Sequence, residues 1–130
     1  MANEITVGFN LQVLNGYFTD RVALGQVQFD QNNAGRGGGV QQFTTSEEDF
    51  AIGDIDVASG STAGFCYLRN IEAAGGADFL FGPQVGTGNF EAIGTLAPGE
   101  FAFFRLTPGV QLRGKASSGT CKVDIRIYED

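Results

Sequence analysis

The sequence predicts an all-β chain, an antiparallel β-sandwich of jelly-roll-like character forming a single domain over residues 1–130. Three observations predict it. Hydrophobic residues recur with period two, which buries one face of each segment and leaves the other in water. Candidate strands follow one another about every 8–12 residues, punctuated by Gly and Pro, with no convincing helix between them. The chain holds 12 Phe and no Trp, which suits a core of single-ring aromatics packed between two facing sheets.

The elements follow in order. Ile5, Val7, Phe9, Leu11 and Val13 alternate with polar or small residues and make one long strand with a single apolar face. Asn15-Gly16 marks a hairpin turn, because both residues tolerate positive φ, and a second strand covers 22–29. In 31–39 the glycines Gly35, Gly37, Gly38 and Gly39 surround Arg36, and the segment reads as a flexible exposed loop. A strand over 40–45 leads to Ser46, with Asp49 three residues on; this is the outline of a capping box and predicts a single helical turn.

Ile52, Asp54, Asp56 and Ala58 lead into a strand over 64–71, with Phe65, Tyr67 and Arg69 on one face and Cys66, Leu68 and Asn70 on the other. A short strand over 78–81 stops at Gly82-Pro83, and another covers 89–93. Leu96-Ala97-Pro98-Gly99-Glu100 reads as a turn in which Pro sets φ and Gly takes the left-handed position. Strands over 101–106 and 110–116 follow. In the last strand Cys121, Val123, Ile125 and Ile127 point one way, and Lys122, Asp124, Arg126 and Tyr128 the other.

Composition narrows the function. Eight Lys and Arg against 15 Asp and Glu give a formal charge of −7, and there is no His. Without His there is no Ser-His-Asp or Cys-His nucleophile and no imidazole metal site. An acidic chain lacks the basic footprint of a nucleic-acid binder, and no apolar run reaches the roughly 18 residues of a membrane-spanning helix. Met1 to Glu4 is polar and acidic, so a secretory signal is not expected. Residues 1–65 carry −6 of the charge and 66–130 only −1. That asymmetry reads as a solubilising surface or as a face steering toward a basic partner.

The remaining constellations do not add up to chemistry. Asp54 and Asp56, with Glu47, Glu48 and Asp49 upstream, offer oxygens for Ca²⁺ but lack the EF-hand spacing, and a solvated acidic face is the reading. The glycine clusters lack the Lys-Ser/Thr of a phosphate loop. Arg105, Arg113, Lys115, Lys122 and Arg126 are interleaved with Glu100, Asp124, Glu129 and Asp130, which predicts cross-strand ion pairs on an outer face. Cys66 and Cys121 read as buried free thiols; a disulfide between neighbouring strands stays open. No catalytic residue, metal or cofactor is read.

Taken together, Gly64-Phe-Cys-Tyr-Leu-Arg-Asn70, Phe79-Leu-Phe-Gly82, Leu96-Ala-Pro-Gly-Glu100 with Phe103-Phe104-Arg105-Leu106, and Lys122-Val-Asp-Ile-Arg-Ile-Tyr128 resemble the small β-sandwich virion proteins of tailed bacteriophages. The resemblance implies a head decoration or cement protein that binds the major capsid protein lattice and is made in the bacterial host cytoplasm. It supplies no catalytic residues. A homotrimer on a symmetry axis is the expected oligomer. The expected interface is the glycine loop and the acids beside it: Gly35, Arg36, Gly37, Gly38, Gly39, Glu47, Glu48, Asp49, Asp54 and Asp56. The alternative is a tail or fibre module that recognises host surface glycans, with Tyr17, Tyr67 or Tyr128 stacking on sugars.

Overall fold

A computed structural model describes residues 4–31, 36–51, 63–107 and 109–129. Its strands are β1 (Ile5–Asn15), β2 (Phe18–Phe29), β3 (Arg36–Phe43), β4 (Glu48–Asp49), β5 (Ala63–Asn70), β6 (Phe79–Val85), β7 (Asn89–Phe90), β8 (Gly94–Leu96), β9 (Phe101–Arg105), β10 (Leu112–Ala116) and β11 (Cys121–Glu129). No helix occurs among the described residues. The chain divides into two compact units, residues 1–32 and 33–130. The sandwich expected over 1–130 is built by the second unit, and the first is a hairpin.

In the hairpin β1 pairs only with β2, antiparallel, around the two-residue turn Gly16-Tyr17 foreseen at Asn15-Gly16. A bulge between Phe9 and Asn10 sets Leu24 apart, since Phe9 faces Gly25 and Asn10 faces Ala23. Residues directly opposite share a face. The register therefore gathers Ile5, Val7, Phe9, Leu11 and Val13 of β1 with Phe18, Val22, Val27 and Phe29 of β2 on one side. The other side is mainly polar, carrying Thr6, Asn10, Gln12, Thr19, Arg21, Gln26 and Gln28 together with Leu14 and Ala23, while Asp20 stands opposite Val13 on the apolar side. None of these residues is buried.

The second unit packs two antiparallel sheets face to face. One runs β3-β11-β5-β9; the other runs β4-β10-β6-β7, with β8 also paired to β6. Period-two patterning explains the arrangement: Cys121, Val123, Ile125 and Ile127 of β11 and Cys66 and Leu68 of β5 are fully buried. Across the interior they meet Phe79 and Phe81 of β6 and Leu112 and Ala116 of β10. Phe43 and Phe79 pack with ring centroids 4.7 Å apart, and Phe81 stacks on Phe104 at 6.1 Å. The single buried polar side chain among the described residues is Asn70.

Three local expectations are corrected. Arg36 to Gly39, expected as a flexible loop, form the first half of β3 and pair with Tyr128 to Ile125 of β11. Glycine permits this pairing: Gly38 has φ 101°, and a Cβ there would lie 2.2 Å from the Ile125 carbonyl oxygen. The helical turn expected at Ser46 is absent. Glu48 and Asp49 instead extend along β10, Phe50 N–H bonds the Leu112 carbonyl, and the Phe50 ring enters the core. A helical turn would forfeit that ladder and the burial of Phe50.

The strand expected to stop at Gly82-Pro83 runs on to Val85. Gln84 N–H donates to Gln111 on the β10 side, so by antiparallel alternation the missing Pro83 N–H falls on the opposite edge. There the partner changes from β8 to β7, and no ladder bond is lost. Gly82 is required for that crossing, since a Cβ would sit 1.7 Å from the Glu91 carbonyl oxygen.

Candidate functional site

The expected interface residues that are described fall on strands of both sheets and on the turn before β4. Gly35, Asp54 and Asp56 lie outside the described residues. Arg36, Gly37, Gly38 and Gly39 are in β3, at one edge of its sheet. Glu48 and Asp49 are on β4, in the other sheet. The acids at 47–49 are engaged within the chain. Arg113, with only 12% of its side chain exposed, pairs through Nε with Asp49 Oδ1 at 2.8 Å and through one terminal nitrogen with Glu47 Oε2 at 3.7 Å, while the other donates to the Glu47 carbonyl at 3.2 Å. Arg113 faces Asp49 directly across β10 and β4, a cross-strand ion pair with acids other than those the sequence suggested. Glu48 accepts from Thr44 Oγ1 at 3.2 Å.

Both cysteines are free and buried. Cys66 faces Ile127 across β5 and β11, while Cys121 lies six positions back along β11, about 20 Å away at strand rise. A disulfide needs Cα atoms within about 7 Å, so none forms. Burial pushes the Cys66 thiol up to about 12 from its ordinary 9.0, and burial together with the charge of Glu72 pushes Cys121 up to about 11. Thiolate is the reactive form. The native protein is therefore expected to show no thiol toward Ellman's reagent at pH 8, and two in guanidinium chloride. By linkage, the stabilisation from keeping both thiols neutral is complete below pH 9 and is lost as pH rises toward 11–12, because the unfolded chain ionises first.

A different constellation emerges on the outward face of the sheet β3-β11-β5-β9. The register sets it out in rows across the strands. Val40, Asp124, Arg69 and Phe101 form one row; Gly38, Arg126, Tyr67 and Phe103 the next; Arg36, Tyr128, Phe65 and Arg105 the third. With Lys122, five of the chain's eight basic residues stand on this face, beside one acid in these rows, Asp124. Apart from Gly38 and Val40, the remainder is aromatic. Phe65 and Phe103 stack at 5.4 Å with their planes 1° apart, and Tyr67 and Phe101 lie at 6.3 Å and 28°. Arginines lie over these rings: Arg105 is 5.0 Å from the Phe65 centroid and Arg126 is 5.9 Å from that of Tyr67.

Within this face Arg126 donates from Nε and a terminal nitrogen to both oxygens of Asp124, at 3.3 and 3.1 Å. The hydrogen bond to Asp124, and then its charge, push the Arg126 pKa above its already high ordinary value. Arg69 has no carboxylate partner among the described residues; its Nε reaches the Gly99 carbonyl at 3.4 Å. Gly99 is held by a turn in which Glu100 N–H bonds the Ala97 carbonyl at 3.0 Å and Gly99 takes φ 88°, the left-handed position the sequence assigned to it. Tyr67, Arg69, Gly99 and Phe101 line an open cleft of about 420 Å³. Phe101 is 62% exposed.

The sequence placed Tyr67 with Arg69, and Arg126 with Tyr128, by alternation alone. It did not reveal that β5 and β11 are neighbours, nor that β9 brings Phe101 to the same surface. Tyr17 belongs to the hairpin unit, at its turn, and is fully exposed. Among the described residues no cluster of three or more His, Cys, Asp or Glu is arranged to hold a metal ion. Comparison with known proteins finds no matching family model, no similar curated sequence and no similar solved structure.

Proposed function

We propose that the chain is a non-catalytic structural protein of a tailed-phage virion, a head decoration protein that binds the major capsid protein lattice. It is made in the host cytoplasm and binds as a homotrimer. One observation carries this reading: the β1–β2 hairpin gathers most of its large apolar residues on one exposed face, with Phe9 40%, Leu11 43% and Phe18 62% exposed. A two-stranded hairpin is marginal in water by itself, so an apolar face of this length gains stability when a partner covers it. On a lattice, three such arms would add through avidity.

The test is co-sedimentation with assembled heads that lack the protein. The wild-type chain is expected to pellet with them, and light scattering to give the mass of three chains. Phe9→Asp with Leu11→Asp places two charges on the apolar face and is expected to abolish pelleting while leaving the circular dichroism of the sandwich intact. Undiminished pelleting of that variant would refute the hairpin as the contact. A second reading, recognition of surface glycans, is favoured by the common face that holds Tyr67, Tyr128, Phe101 and the arginines.

A further inference from the structure

We propose that the outward face of the sheet β3-β11-β5-β9 binds an acidic glycan, a polysaccharide bearing carboxylates, with Tyr67 and Phe101 as the ring platform and Arg69 as the carboxylate anchor. The proposal rests on the glycan reading and deepens it by naming the charge of the sugar and the place where it binds.

Charge complementarity gives the sign of the ligand. A chain of net charge −7 has gathered five of its eight basic residues on one sheet face. At Arg69 the guanidinium lies at the surface with only a long bond to the Gly99 carbonyl to satisfy it. Its planar fork matches a carboxylate in bidentate geometry.

The rings give the shape. Phe101 and Tyr67 stand side by side and close to parallel on the cleft floor, and Phe101 leaves most of its surface in water. Phe101, uncovered beside polar groups, accepts the apolar face of a sugar ring, with Tyr67, which carries Arg126 over its ring, as the flanking wall. The cleft of about 420 Å³ falls within the usual range for a small-ligand site.

The polar groups distinguish a sugar from a nucleic acid, which also combines rings with negative charge. Phosphate backbones ask only for donors. Sugar hydroxyls ask for donors and acceptors together. Here the Arg69 guanidinium and Tyr67 hydroxyl donate, and the Gly99 carbonyl and Asp124 carboxylate accept.

The experiment is titration calorimetry of the full chain against polygalacturonate, alginate, hyaluronate and polysialate, with dextran and methyl-esterified pectin as neutral arms and a dT20 oligonucleotide as the nucleic-acid arm. Binding to at least one acidic polysaccharide is expected, weakening as salt rises. Arg69→Ala and Phe101→Ala should each weaken it about tenfold or more, while Arg69→Lys restores part of the loss. Lys115→Ala, on the other sheet, should change nothing. All are surface positions, and unchanged melting temperatures will establish that the variants fold. Binding confined to neutral glycans would overturn the acidic assignment and leave the glycan reading standing. Binding to no glycan would overturn both. Tighter binding to dT20 than to every acidic polysaccharide would replace the proposal with single-strand nucleic-acid recognition.

Discussion

Phe79→Ala is expected to destabilise the sandwich by about 3–5 kcal/mol, the range for truncating a fully buried aromatic. Phe79 is completely buried and lies at the centre of a ring cluster, 4.7 Å from Phe43, 5.9 Å from Phe81 and 6.1 Å from Phe50. Truncation empties the contact between the two sheets, and the strands on either side are too constrained by their ladders to collapse into the space. Domains of this size have a total stability of about 5–15 kcal/mol, so a large part of it would be lost. Urea unfolding followed by tyrosine fluorescence should show a lower midpoint at unchanged slope. Gly114 provides an internal control. A Cβ there would lie 2.5 Å from Phe79 Cε2, so Gly114→Ala alone should cost about 1–3 kcal/mol by overpacking. In the Phe79→Ala background the added methyl enters vacated space, and most of its cost should disappear, leaving only the 3.0 Å approach to the Leu80 carbonyl oxygen. Additive effects in that cycle would mean that the close approach of ring and glycine does not govern the packing.

How far the sequence reveals this protein depends on where the information is stored. Cys121, Val123, Ile125 and Ile127 declare β11 because one-sided burial imposes period two on the strand itself. Likewise, Pro98-Gly99 declares its turn through local φ preferences alone. The first half of β3 is the opposite case. Gly37, Gly38 and Gly39 carry no hydropathy signal, and the reason they are extended is the ladder offered by β11, more than 80 residues later in the chain. Gly82-Pro83 reads as a stop because proline breaks central ladders. It is tolerated because the edge partner changes at that point, which is a property of the sheet and invisible in the dipeptide. The same division holds for the aromatic and arginine face. Alternation shows which side of β5 and of β11 each residue takes, but only strand order brings Arg126 against Tyr67 and Phe101 beside Arg69. The acids at 47–49 were legible as a cluster, whereas their engagement by Arg113 depends on the pairing of β4 with β10.

Asn70→Ala should cost about 3–5 kcal/mol, a large effect for a side chain that contributes no apolar packing. The amide is fully buried and both of its donors are used: Nδ2 donates to the carbonyls of Ala77 and Leu96, both at 2.9 Å, and Oδ1 accepts from Glu72 N–H at 3.1 Å. Alanine removes these bonds and leaves their backbone partners without a replacement, each worth about 1–3 kcal/mol when it stays buried. Asn70→Asp separates hydrogen bonding from volume. The shape is preserved, but the donor becomes a charged acceptor facing two carbonyl oxygens, so at neutral pH it should be no more stable than the alanine variant. An Asn70→Ala protein within 1 kcal/mol of wild type would show that water replaces the amide and that the residue is not a structural tie. The consequence extends to the outward face. The Asn70 backbone accepts from Gly99 N–H at 2.8 Å and donates to the Glu100 carbonyl at 3.0 Å, and the next residues on either side are Arg69 and, beyond the turn, Phe101. Those backbone bonds survive the substitution, but the side chain's bond to the Leu96 carbonyl, at the start of the turn that lines the cleft, is lost. Its loss should broaden the positions of Arg69 and Phe101 and weaken acidic-glycan binding although the side chain never touches the ligand. Asn70→Ala should therefore lower affinity in proportion to the loosening of the 97–100 turn, read as faster amide exchange at Gly99 and Glu100, whereas Phe79→Ala, acting deep between the sheets, should lower stability with little change in that exchange below the unfolding transition.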